Sequence, residues 1–231
     1  MAIYSYSKTL PSVAKRIGRI ISIVLILTGL TLIFAVLYPI LTFELYYSRK
    51  YQSVISPVAE EENLPLKIRQ ALGATFTDLT EARLWFPKAT PVKKIDNINN
   101  YSLSIPKLKI DNANVIIGGN DLSKSLIHFT GPSPGAIGNP VIFGHSTLLL
   151  FYNPKDYKAI FSKLPDLEIG DEIRIVIDNV SYVFRVYKMY ITNPSDLSVL
   201  NQDTSYRELT LVTCVPPGTY FKRFIVKARL E

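Results

Sequence analysis

The chain holds a single cysteine, Cys214, and only two histidines, His128 and His145. One cysteine excludes any disulfide within the chain, so stability outside a reducing compartment has to come from packing. One thiol and two imidazoles match none of the usual zinc spacings, and no structural zinc is expected. Long runs of one charge are also missing. Lysine and arginine number 26 against 19 acids, a net charge of +7, yet the cations are scattered and no nucleic-acid motif accompanies them. Nucleic acid is therefore not an expected partner. Internal repeats and low-complexity tracts are absent.

Charge is missing altogether between Arg19 and Glu44. As a helix, Ile20 to Phe43 would span about 36 Å at ~1.5 Å per residue, enough to cross a bilayer with some tilt. The run closes on Ala35-Val36-Leu37-Tyr38-Pro39 without an Ala-x-Ala site, so an uncleaved anchor is expected in place of a signal peptide. Lys8, Lys15, Arg16 and Arg19 precede it; Arg49 and Lys50 follow, offset by Glu44. That bias puts the N-terminus inside and the bulk of the chain outside, with Tyr38, Tyr46 and Tyr47 at the outer interface.

The expected division is a tail over 1–19, the anchor over 20–43, a juxtamembrane linker or helical appendage over 44–100, and a β-domain over 101–231. Within the third part, Asn63 to Gly73 and Thr77 to Trp85 read as short helices. Pro87, Pro91 and Asn97-Ile98-Asn99-Asn100 read as linker, and Trp85-Phe86 as packing residues. From Tyr101 onward, short alternating or apolar segments are broken by turns. Clear strands are Glu172–Ile177 and Tyr182–Ile191 around Asp178-Asn179, and Val141–Gly144 before His145. Gly118 to Pro140 reads as a long connection carrying His128. The pattern predicts a mostly β barrel or sandwich with minor helices.

Leu209–Val215, Pro216-Pro217-Gly218 and Tyr220–Leu230 read as a final antiparallel hairpin. If paired positions sum to 437, Leu209, Leu211 and Thr213 oppose Ala228, Val226 and Phe224 on an apolar face. Thr210, Val212 and Cys214 then oppose Lys227, Ile225 and Arg223, and a slip of one residue would invert every side chain. This register sets a guanidinium across from the only thiol at the open end of the hairpin. A neighbouring cation favours the nucleophilic thiolate. A histidine partner for it must be His145, at a strand end after Gly144, or His128, read as a loop residue near the cleft.

Thr210-Leu211-Val212-Thr213-Cys214 with Arg223 downstream, and Asn139-Pro140-Val141-Ile142-Phe143-Gly144-His145-Ser146 upstream, resemble the sortases, membrane-anchored cysteine transpeptidases. The resemblance covers roughly residues 101 to 231. It implies the closed eight-stranded sortase-type barrel, with Cys214, His145 and Arg223 as catalytic residues and Thr213, Val199 and Leu200 near the sorting peptide. It implies an LPxTG-like sorting signal of secreted proteins as substrate. The implied acceptor is an amine such as a peptidoglycan precursor or a pilin lysine. The single anchor and the absence of a clear lid motif resemble class D/E-like members. Some sortases bind calcium through acids before the histidine strand; between Gly118 and Val141 the only acid is Asp121, so no metal and no cofactor are expected. Two other readings remain: an endopeptidase of the same fold that resolves the thioester with water, and a tethered β-domain that binds peptide without catalysis.

Overall fold

The computed structural model describes residues 13–47, 50–51, 80–86 and 98–231, which divide at Thr42 into two units. The first is helix α1, Val13–Thr42. Its stretch Lys15–Ala35 is long and apolar enough to cross a membrane by length and composition. The hydroxyls of Ser22, Thr28 and Thr31 each donate to the carbonyl four residues back, at 2.9, 2.8 and 2.8 Å. Their hydrogen-bonding needs are thus met without water.

The second unit is a closed barrel of eight strands: β1 Asn100–Ile105, β2 Ile110–Ile117, β3 Leu126–Thr130, β4 Val141–Phe143, β5 Glu172–Ile177, β6 Val180–Thr192, β7 Glu208–Val215 and β8 Lys222–Leu230. Around the barrel they run β1-β2-β3-β4-β7-β8-β6-β5. The β2–β3 and β4–β7 pairs are parallel and the others antiparallel. One end of the barrel therefore gathers the ends of β1, β4, β6 and β7 and the starts of β2, β3, β5 and β8. The expected two-residue turn Asp178-Asn179 joins β5 to β6, with both residues at positive φ (49° and 62°), as a hairpin turn of this kind requires.

β7 is buried at every position, because apolar layers cover both of its faces. Inside the barrel, Leu209, Leu211, Phe224, Val226 and Ala228 join the main core. Outside it, Val212, Cys214 and Ile225 belong to a second cluster with Phe129, Phe143, Val199, Trp85 and Phe86. The second layer comes from chain outside the barrel. Residues 80–86 are held by Ala82 N–H donating to the Asn120 carbonyl (2.8 Å), Leu122 N–H donating to the Thr80 carbonyl (2.8 Å), and Arg83 N–H donating to Asn120 Oδ1 (3.0 Å). They form a 3-10 turn, Ala82–Leu84, within the stretch Thr77 to Trp85 expected as a short helix, of which 77–79 lie outside the described residues. The helix expected over Asn63–Gly73 lies outside the described residues.

One sequence expectation is corrected here. His128 is no loop residue: it lies on β3 and is fully buried, its Nδ1 3.0 Å from the Tyr101 hydroxyl. The apolar neighbours Ile127 and Phe129 give this short strand its place in the wall. Tyr47 is tied to the barrel. Its hydroxyl donates to Asp166 Oδ1 at 2.8 Å, and that of Tyr51 to the Pro165 carbonyl at 2.9 Å. Phe43 and Tyr51 are buried against the barrel core, with the Tyr51 ring edge-on to Phe224 at 4.9 Å.

Candidate active site

The β7–β8 register is the one that the apolar pattern predicts, from Glu208 opposite Arg229 to Val215 opposite Lys222, with Cys214 facing Arg223. β4 lies parallel on the other side of β7, Phe143 beside Val212. The chain continues past β4 along β7: Gly144 N–H donates to the Val212 carbonyl (3.1 Å), and the Thr213 hydroxyl donates to the Gly144 carbonyl (2.9 Å). One residue on, the Ser146 hydroxyl donates to the Cys214 carbonyl (2.7 Å). Both neighbours of His145 are thus stapled to the segment that carries the thiol. Gly144 has to be glycine, because a Cβ there would collide with the ring of Phe161.

His145 is partly exposed, and its Nδ1 accepts the Ser146 N–H at 2.8 Å. A ring nitrogen that accepts carries no proton, so the neutral imidazole holds its proton on Nε2.

Arg223 is buried at the start of β8. Its Nη1 donates to the carbonyls of Tyr220 (3.0 Å) and Lys222 (3.3 Å), and its Nη2 to the carbonyl of Trp85 (3.3 Å). The guanidinium carbon lies 5.3 Å from the Trp85 ring centroid and 6.0 Å from that of Phe86. Its Nε has no acceptor among the described residues. The site therefore contains a buried cation with Nε unused and both Nη groups resting on main-chain carbonyls. A developing oxyanion needs such donors.

The thiol departs from expectation. Cys214 is 3% exposed, and burial pushes its pKa up, with Arg223 only partly opposing the rise. The guanidinium was expected to favour the thiolate. Desolvation outweighs it, because the covering layer removes the water that would stabilise a charged sulfur. That layer includes Trp85 and Phe86, both buried. Trp85 stacks on Phe143 at 5.4 Å. They pack, as expected of them, but they also occupy Arg223, and nothing in their sequence signals that second role.

Of the residues expected near a peptide, Thr213 spends its hydroxyl on Gly144. Val199 is buried in the outer cluster on the 3-10 turn Leu197–Leu200, and Leu200 packs against that cluster. Missed in the sequence was Asn139, whose side chain accepts from the Thr210 hydroxyl (2.7 Å) and donates to the Asn201 carbonyl (3.1 Å). It ties the 197–200 turn to β7. The lone acid Asp121 is engaged by Ser123 and Lys124, which together lower its pKa to about 2.

Comparison with known proteins agrees with this architecture. The family model described as the sortase domain matches residues 103–231. Sortase D of Bacillus subtilis (strain 168) is 28% identical over 130 residues, covering 54% of this chain and 60% of that relative; the chain thus spans under two thirds of its length. Among solved structures, a Clostridium perfringens sortase D5 transpeptidase is 29% identical with a TM-score of 0.50, covering 60% of this chain and 83% of that one. A lid mutant of sortase A from Corynebacterium diphtheriae is 23% identical with a TM-score of 0.50, covering 80% and 89%, a likeness of fold alone. The matched domain takes in more than half of the chain, including Cys214, His145 and Arg223, and on that ground this protein belongs to the sortase family.

Proposed function

We propose that the chain is a cysteine transpeptidase in which Cys214 is the nucleophile, Arg223 the oxyanion donor and His145 the proton carrier. The observation that carries this reading is the Cys214–Arg223 cross-strand pair, with an unused Nε–H on the arginine. With the peptide in place of the cover, the Cys214 thiol gives its proton to His145, and the resulting thiolate attacks the threonyl carbonyl of an LPxTG-like sorting motif while the oxygen takes up negative charge against Arg223. The C–N bond then breaks, and the Nε2 proton of protonated His145 goes to the leaving amine. That leaves a thioester on Cys214. An amine, from a peptidoglycan precursor or a pilin lysine, attacks it and gives its proton to His145. The new amide departs and the thiolate is restored. Val199 and Leu200 are assigned to the wall that meets the sorting peptide, and Thr213 to its positioning.

The Trp85 carbonyl stands where a substrate carbonyl would bind Arg223, so residues 80–86 are read as a cover that a peptide displaces. The Corynebacterium relative has a lid by name, and this segment is its proposed counterpart. Residues 20–42 are assigned as a single-pass membrane anchor, one residue short of the expected 20–43 because Phe43 packs in the barrel core, with the tail 1–19 inside, 43–100 as connection and cover, and the catalytic barrel 101–231 outside. Mass spectrometry of the enzyme with sorting pentapeptides tests the chemistry. A thioester adduct on Cys214 that is lost in Cys214→Ala, and a product that gains the mass of an added amine, are expected. Turnover retained by Cys214→Ala would refute the assignment. A product carrying water despite excess amine would make the protein a peptidase.

A further inference from the structure

Four stretches meet at the barrel end where β7 stops and β8 starts. The Tyr152 hydroxyl, on the chain after β4, donates to the Leu108 carbonyl between β1 and β2 (2.9 Å). Next to Leu108, Lys107 pairs with Glu168 (2.6 Å) and Asp171 (2.9 Å) ahead of β5. That approach to β5 also holds Tyr47, on Asp166, and Tyr51, on Pro165. These ties bring together side chains that are apolar yet turned outward: Leu150 is 84% exposed, Phe151 63% and Ile169 71%, and Leu45 and Tyr46 are exposed with them. Exposed charges of both signs lie along the same stretches: Lys109, Lys155 and Lys158 with Asp156, Asp166 and Glu168. Apolar groups gathered at one end of the barrel among charged ones mark an interaction surface and do not look like chance exposure.

The chain itself names the occupant. Only Phe43 and Glu44 separate Leu45 from Thr42, the last residue of the apolar helix. The chain that enters this end of the barrel is therefore the chain that follows directly on the apolar helix. We infer that the barrel end bearing Cys214 sits on the lipid surface, with Leu150, Phe151 and Ile169 dipping below the headgroups. Outward aromatic and aliphatic side chains are what an interfacial seat requires, and the mixed charges beside them remain in the headgroup region and water. The inference rests on the anchor assignment above. It adds that the site opens beside lipid, where membrane-held peptides and acceptors present themselves.

The test uses the full chain with Cys214→Ala, carrying an NBD label at Leu150→Cys or, at the opposite end of the barrel, Val180→Cys. Each is reconstituted into phosphatidylcholine nanodiscs, whose two faces both meet the buffer. At 150 we expect blue-shifted emission that is mostly lost with 5-doxyl lipid and little affected by iodide; at 180 the reverse. Co-elution with the discs but equal iodide access at both positions would overturn the lipid seat while leaving the anchor intact. Failure to co-elute would overturn the anchor, and the seat with it. A label at 150 shielded from both quenchers would mean that a protein covers the patch, which also overturns the seat.

Discussion

Replacing Trp85 with alanine should unmask the thiol. The indole is buried, stacked on Phe143 and set against the Arg223 guanidinium, while the upstream end of its segment is held independently by Asn120 and Leu122. Truncating a buried aromatic side chain costs about 3–5 kcal/mol in a folded core. Here the loss falls on the closed position of one segment, because the barrel does not need Trp85 to close. Taking the lower figure, the fraction of molecules with the segment open should rise by roughly 150-fold, at tenfold per ~1.4 kcal/mol. Uncovering also rehydrates the sulfur and relieves the upward push on its pKa, so the change in reactivity is at least this large. The assay is the second-order rate of Cys214 alkylation by iodoacetamide at fixed pH, with the thermal midpoint measured alongside. We expect alkylation about two orders of magnitude faster with a midpoint shift of only a few degrees. An alkylation rate within about threefold of the parent would refute the idea that this segment governs access, because so small a change corresponds to under ~1 kcal/mol.

Arg223→Lys keeps the charge but loses the fork that spans a carbonyl oxygen, so acyl-enzyme formation with a sorting peptide should fall by about 10²–10³-fold, measured as the amplitude and rate of the first turnover. Gly144→Ala should destabilise the fold by about 1–3 kcal/mol through its collision with Phe161, read from urea denaturation, and adding Phe161→Leu should recover part of the loss. Burial lowers the His128 pKa to about 4, below the ordinary ~6.5 of an unfolded chain. The unfolded state therefore binds more protons between those values, and stability is full above pH ~6.5 and is lost as pH falls toward 4. By pH 5 this amounts to about 2 kcal/mol, and a His128→Asn variant should show a flatter profile in urea midpoints taken from pH 7 to 5.

The hairpin was legible because both of its strands alternate cleanly and only one register keeps Leu209, Leu211, Phe224, Val226 and Ala228 on one face. From that register the Cys214–Arg223 pair follows without any coordinates. Gly144-His145 was legible for a similar reason: a short apolar strand running into a glycine and a polar residue. What the pattern did not reveal lies between distant segments. The second apolar layer over β7 is supplied by residues 80–86 and 197–200, and nothing local to Cys214 announces it. The thiol therefore read as exposed and activated when it is buried and protonated. β3 was hidden because its five residues stand inside a Gly- and Pro-rich stretch whose turns dominate the local signal. The docking of Phe43, Tyr47 and Tyr51 was hidden because aromatic residues just past an apolar helix suit a membrane interface equally well.

The order of strands has one more effect. β4 and β6 meet only through the β7–β8 pair. A chain cut short before Glu208 would be left with two bare sheet edges and an open core, a form prone to sticking to its own kind. The stretch that brings the sulfur is thus also the stretch that seals the wall, so truncation yields aggregated or degraded material and not a sound but inert shell competing for the same partners.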